Sequence, residues 1–175
     1  TYIMNYNRDL VLATEFQNAI FASAISRNYS FSIIARKDGS IMFADQGVAV
    51  VKAVGNEATV AHLDPMNRSD QILLVGAADS KGRAADFSNF GYGVDIYAPG
   101  VNILSASADG SFMEMSGTSM ASPIAAGVVA LLRSEHPDLD PAEIFEAIKS
   151  SARNASTSTP LLNAFSAMQT LESAT

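Results

Sequence analysis

Residues Ser116 to Pro123 read Ser-Gly-Thr-Ser-Met-Ala-Ser-Pro and lead directly into a run of small and apolar residues, Ile124 to Leu132. A helix without a charged face over that length must lie between other layers, so the chain has to supply elements that bury it. Largely apolar runs suited to a sheet occur at Val48 to Val54 (broken by Lys52), between Gly47 and Gly55-Asn56, and at Ile72 to Ala77; Val94 to Ala98, which contains Asp95 and which Pro99-Gly100 closes, reads as a short strand. Such runs, bounded by glycine, read as buried parallel strands. Strands alternating with helices predict an α/β fold with a mostly parallel sheet flanked by helices.

The remaining punctuation divides the chain further. Ile103 to Ala106 and Phe112 to Met115 flank Asp109-Gly110, a pair typical of tight hairpins. The buried helix is expected from about Ser119 to Ser134. Asp140-Pro141-Ala142-Glu143 offers an N-cap, a proline at the first helical position and a reach-back acid, predicting a helix to about Ala152. Leu161 to Leu171 reads as a last helix. Toward the start, Tyr2 to Tyr6 reads as a short strand and Leu10 to Ser26 as an amphipathic helix. Ile33 to Phe43 fits helix or turn equally, because Lys37-Asp38-Gly39-Ser40 lies in its middle.

Totals narrow the function classes. The 175 residues, 48 % hydrophobic, suit one domain with a real core. A net charge of −7 provides no basic stripe to displace phosphate counterions, which argues against nucleic acid. Cysteine is absent, so disulfides and thiolate metal sites are excluded. The apolar runs are too short for a membrane span. Thr1 opens directly on Tyr2-Ile3-Met4, so the chain is expected to begin inside a domain, with any targeting signal upstream.

Ser119 stands where a tight turn enters a helix. There, free N–H groups and the positive end of the helix dipole favour developing negative charge. Gly117 lets the backbone pass close to a substrate carbonyl, and Pro123 is expected in the first turn, where its missing N–H costs little. Ser116, Thr118 or Ser119 could equally be an ordinary helix cap, and Gly55-Asn56 an ordinary turn. His62 reads as a loop residue and His136 as a helix C-terminal residue. Asp138, Asp140 and Glu143 fit a turn and a capped helix better than a cation site. The Asn-x-Ser triplets at Asn28, Asn67 and Asn154 arise often by chance. The scattered methionines read as core filler.

Gly117-Thr118-Ser119-Met120-Ala121-Ser122-Pro123 resembles the nucleophile motif of the subtilisin-like serine protease (subtilase) family. Supporting matches run in family order. Val50 to Glu57 resembles the strand and turn that present the oxyanion asparagine, matched by Asn56. Ile72 to Asp79 resembles the next core strand. Phe87-Ser88-Asn89-Phe90-Gly91 and Val94 to Gly100 resemble the segment before the hairpin. Ile124 departs from the family's usual histidine, and Ile3 to Arg8 from its usual pocket edge. An α/β-hydrolase is excluded, since Ser119 is not followed by the required x-Gly.

The resemblance implies a serine endopeptidase with Ser119 as nucleophile, Asn56 and the Ser119 N–H as oxyanion donors, and Ala53, Val54 and Gly55 in substrate binding. The family's aspartate and histidine motifs do not occur here. Residues 1–175 are therefore expected to be the C-terminal two-thirds of one catalytic domain, its N-terminal part lying on an upstream segment that supplies both residues. The implied partner is a peptide or protein substrate. No cofactor or metal ligand set is identifiable, a structural calcium being admitted by resemblance only. A secreted or extracytoplasmic location follows from the resemblance alone. The alternative is a non-catalytic subtilase-like binding or regulatory module, favoured by the missing pair and disfavoured by retention of Ser119 and Asn56.

Overall fold

The structure, a computed structural model, describes residues 47–63, 72–107, 109–154 and 159–173. The expected strand at Tyr2 to Tyr6, helix at Leu10 to Ser26 and ambiguous Ile33 to Phe43 lie outside them.

Three buried strands form the middle of the molecule: β1 (Val50–Ala53), β2 (Ile72–Ala78) and β3 (Ile96–Pro99). They pair in parallel, with Val50 opposite Ile72 and Val75 opposite Ile96. A hairpin of β4 (Ile103–Ala106) and β5 (Phe112–Met115) stands apart as a two-stranded antiparallel sheet. Three helices follow: α1 (Thr118–Glu135), α2 (Pro141–Ser151) and α3 (Ala164–Glu172). Two short strands, β6 (Arg153–Asn154) and β7 (Pro160–Leu161), complete the main sheet in the order β1-β2-β3-β7-β6. β7 runs parallel to β3 and β6 antiparallel to β7. The sheet is thus mostly parallel and flanked by helices, as expected.

Alternation along each strand explains the packing. Val51, then Leu73, Val75 and Ala77, then Ile96 and Ala98 share one core cluster with Ala121, Ala125, Val129 and Leu132 of α1. Those helix positions recur every three or four residues, the period that keeps one face on the sheet. The opposite face, with Gly127, Ala130 and Leu131, is exposed, so the helix is not buried all round as its apolar run predicts. Small residues at 121 and 125 let the front of α1 approach the strands closely. Val50, Lys52 and Val54 alternate with this set and are also buried, which is why β1 reads as a continuous apolar run interrupted by one lysine. The Lys52 ammonium donates to the Ala53 carbonyl at 3.1 Å.

The α2 start is as expected. Asp140 accepts from the Ala142 N–H and the Glu143 carboxylate accepts from the Asp140 N–H at 2.8 Å, a complete capping box with Pro141 at the first position. Three expectations shift. The helix expected over Leu161 to Leu171 begins only at Ala164, because Leu161 pairs with Tyr97 and the Leu162 N–H donates to the Tyr97 carbonyl at 2.8 Å. Strand pairing overrides the helical spacing there, and Asn163 caps the helix through its side chain. The Asp109-Gly110 turn is wider than a two-residue loop: the Ser107 N–H meets the Ser111 carbonyl, and Asp109 accepts from both donors of Ser111. Pro123 is the sixth residue of α1, not a first-turn residue, and so leaves the Ser119 carbonyl without its intrahelical donor.

Asp95, just before β3, ties two strands together. Its carboxylate accepts the Leu74 N–H at 2.8 Å, and its own N–H donates to the Leu74 carbonyl at 2.9 Å. Burial pushes this carboxyl above its ordinary value, against the opposing pull of the Leu74 N–H and the Lys149 ammonium. A raised folded-state pKa means that the ionised form costs stability above that pKa. The cost disappears as pH falls through the folded pKa toward the ordinary value. Asp95→Asn keeps an acceptor for Leu74 and removes the charge. Urea titration should show the variant more stable than the parent near neutral pH, with the gap closing as the parent's carboxyl becomes protonated. A gap that stays constant with pH would contradict this account.

Candidate active site

The site is built where the C-terminal end of β1 meets the N-terminus of α1. Parallel strands carry their exits to one edge of the sheet, and in open α/β sheets that edge is where ligands bind. The chain leaves β1 through Gly55, whose φ is +105°, and returns through Ala58, whose φ is +51°. Asn56 is exposed at the tip between them. From the other side, the hairpin returns to the sheet edge: the Gly117 N–H donates to the Gly100 carbonyl at 2.8 Å, and Ser116 Oγ accepts from the Asn102 N–H at 2.9 Å. α1 begins on the next residue.

The first turn of a helix has N–H groups without intrahelical partners, and here each can be traced. The cap residue is Gly117, which has no side chain to offer, so none of Ser116, Thr118 and Ser119 caps the helix. Instead Asn56, 62 positions earlier in the chain, accepts the Thr118 N–H on Oδ1 at 2.8 Å and the Thr118 hydroxyl at 2.9 Å. The Met120 and Ala121 N–H groups reach the Gly117 carbonyl at 3.0 and 3.3 Å. Among the described residues, the Ser119 N–H has no acceptor, and Ser119 Oγ has no partner either. With Oδ1 committed to Thr118, the Asn56 carboxamide has one orientation, which leaves Nδ2 as its outward donor. A Cβ on Gly117 would stand 3.6 Å from that Nδ2 and 3.7 Å from the Ser119 nitrogen. The position beside Gly117 is therefore bordered by both donors, with Met120 Sδ beside them at 3.4 Å.

Ser119 is half-buried and Thr118 fully buried. Ala53, Val54 and Gly55 close β1 directly behind Asn56 and are buried. Their backbone is already engaged in part: the Val54 N–H donates to the Val75 carbonyl, and the Val54 and Gly55 carbonyls accept from Asn89. The structure thus brings Ser119 and Asn56 together and sets residues 53–55 at their back.

The two histidines stand elsewhere. His136 is the C-cap of α1, roughly 25 Å along the helix from Ser119 at 1.5 Å per residue. His62 is exposed in a single 3-10 turn, Ala61–Leu63. Asp140 and Glu143 are spent on the α2 cap. Among the described residues, no group of three or more His, Asp or Glu converges to hold a metal ion. Asn28 and Asn67 lie outside the described residues.

Sequence reasoning missed Asn89. It is 5 % exposed and contacts the loop around Asn56 with both ends of its carboxamide. Its one sequence signal was its place in Phe87-Ser88-Asn89-Phe90-Gly91, which names no contact.

A buried, mostly parallel sheet, a serine at a helix N-terminus and an asparagine amide aimed beside it define a chain of subtilisin-like build. A family model described as the subtilase family matches residues 7–167, and the chain belongs to that family. It is 34 % identical over 111 residues to Subtilisin DY of Bacillus licheniformis, which covers 62 % of this chain and 40 % of that protein. It is 43 % identical over 117 residues to the "Extracellular protease" of Xanthomonas campestris pv. campestris, covering 62 % of this chain and 20 % of that one. Among solved structures it is similar to the self-cleaved protease domain of PatA, with a TM-score of 0.68 and 27 % identity over 91 % of this chain and 69 % of that one. The chain spans less than half the length of these two sequence relatives.

The geometry at Gly55 predicts a sharp intolerance. Its φ is one that side chains rarely adopt, and a Cβ there would overlap the Glu57 carboxylate and Asn89 Nδ2. Gly55→Ala should lower stability by about 1–3 kcal/mol, read as a fall in the chemical-denaturation midpoint. An unchanged midpoint would mean that the Asn56 loop adopts another conformation.

Proposed function

We propose that this chain supplies the nucleophile and oxyanion side of a serine endopeptidase site. Ser119 Oγ attacks the scissile carbonyl, forming a C–O bond as its proton passes to a histidine. The C–N bond then breaks as that proton goes to the leaving amine, and water hydrolyses the acyl-enzyme. Asn56 Nδ2 and the Ser119 N–H hold the oxyanion of each tetrahedral intermediate. The histidine and its aspartate come from a segment upstream of these residues, and the substrate is a peptide or protein. Ala53, Val54 and Gly55 wall the primary pocket, so substrate meets β1 at its end. An extracytoplasmic setting is supported by the name of the Xanthomonas relative.

One observation carries this reading. In the first turn of α1 the Ser119 N–H alone lacks an acceptor among the described residues, and it borders the same space as the oriented Asn56 Nδ2. A binding module has no need to keep two donors without acceptors side by side next to a serine. A preorganised pair of that kind stabilises charge that develops only during reaction.

Intact mass spectrometry after fluorophosphonate treatment tests the assignment. The natively purified full-length protein should gain one adduct, mapping to Ser119, and Ser119→Ala should gain none. Asn56→Ala should bind substrate about as well and lose about 10²–10³ in kcat, a magnitude that comes from a subtilisin relative's oxyanion asparagine. An unlabelled folded protein, or an Asn56→Ala variant as fast as its parent, would sink the reading in favour of a non-catalytic module.

The 175 residues alone should be far weaker. With no histidine base, hydrolysis should stand only on the order of 10³–10⁴ above the uncatalysed rate. Adding the upstream segment in trans should restore peptidase turnover. Ordinary turnover by the isolated chain would refute the need for that segment.

A further inference from the structure

We propose that Asn89 is a positioning residue of this site, holding the Asn56 loop in the one conformation that aims its amide beside Ser119. The inference rests on the reading of Asn56 as an oxyanion donor. A carboxamide offers two acceptor positions and two donor hydrogens, and Asn89 spends all four on residues 54–59. Oδ1 accepts the Glu57 and Thr59 N–H groups at 3.1 Å each. Nδ2 donates to the Val54 carbonyl at 2.8 Å and to the Glu57 carboxylate at 2.7 Å. The Asn89 N–H adds a bond to the Gly55 carbonyl at 3.0 Å. Residues on both sides of Asn56 are thus held by one side chain 30 to 35 positions away.

Asn89 is itself fixed to the sheet. Ser88 Oγ is buried, accepts the Ala77 N–H of β2 at 3.1 Å and donates to the Asn89 carbonyl at 3.0 Å. Neighbouring backbone joins the same clamp: the Ala58 N–H reaches the Phe87 carbonyl and the Phe90 N–H reaches the Thr59 carbonyl, both at 3.0 Å. Order passes from β2 through Ser88 and Asn89 to the loop, and from Asn56 to Thr118. Without the clamp, a loop with two residues at positive φ would have little to hold it in the conformation that aims Asn56 at α1.

Asn89→Asp separates positioning from simple support. It keeps the acceptor for Glu57 and Thr59, loses both donors and sets a carboxylate against Glu57. In the full-length protein it should lower kcat on the order of 10- to 100-fold, as misplacement of a reacting group does. In an Asn56→Ala background the same change should cost less than about twofold, because the group being aimed is gone. Asn89→Asp with Glu57→Gln, which restores one amide-to-carboxylate bond in reverse, should recover part of the loss. An equal loss in both backgrounds, or one accounted for wholly by unfolded protein, would overturn the proposal.

Hydrogen exchange supplies a readout that needs no catalysis. In folded Asn89→Asp the Thr118 amide should exchange faster together with those of Glu57 and Thr59. If Thr118 stays as protected as in the parent, Asn89 does not act through Asn56. Should Asn89→Asp not fold, Asn89→Ser takes its place in both measurements. A parent protein without fluorophosphonate labelling would defeat the oxyanion reading itself, whereas the Thr118 exchange still decides the positioning.

Discussion

The bond from the Thr118 N–H to Asn56 Oδ1 joins two parts of the chain that local forces would not bring together. A glycine at the cap leaves the helix without a side-chain acceptor of its own. Asn56 supplies one from the end of β1, so a helix start and a strand exit become a single unit. The same bond sets the orientation of the carboxamide. If Thr118 used a local cap, Asn56 would be free to rotate and its Nδ2 would have no preferred direction. Helix stability and aim of the amide are thus two results of one interaction.

Close approach of α1 to the sheet makes that bond possible. Ala121 and Ala125 lie against the strands, with Ser122 buried beside them. Gly100 allows the turn after β3 to pass under the helix start: a Cβ there would come within 2.6 Å of the Ala77 Cβ and 2.9 Å of the Gly117 carbonyl. Larger residues at these points would lift the helix and lengthen the contact to Asn56. The small-residue composition of the motif therefore serves distance as well as chemistry.

Local signals were read from the residues with good fidelity. The Asp140 capping box, the hairpin strands and the cores of β1 to β3 depend on bonds between near neighbours or on apolar runs within one segment. The start of α3 was misread because Leu161 fits a helical spacing, while pairing with Tyr97 on a distant strand takes precedence. Pro123 is the sixth residue of a helix that starts at Thr118 and would be the fifth of one starting at Ser119, so either start puts it past the first turn. Lys52 was not foreseen as buried. Its long stem can line an apolar face while the ammonium turns to a backbone carbonyl.

An α/β layering with a parallel sheet was legible from residue type and period along the chain, whereas Ser119 and Asn56 were singled out by resemblance to family motifs. The residues themselves did not show how Asn56 meets Thr118, nor that Gly117 is the cap of the helix. Both depend on where the free N–H groups of one segment meet the acceptors of another. The part played by Asn89 belongs to the same kind. An asparagine in a loop has four hydrogen-bonding positions and no intrinsic preference among partners, so folding alone assigned all four to residues 54–59.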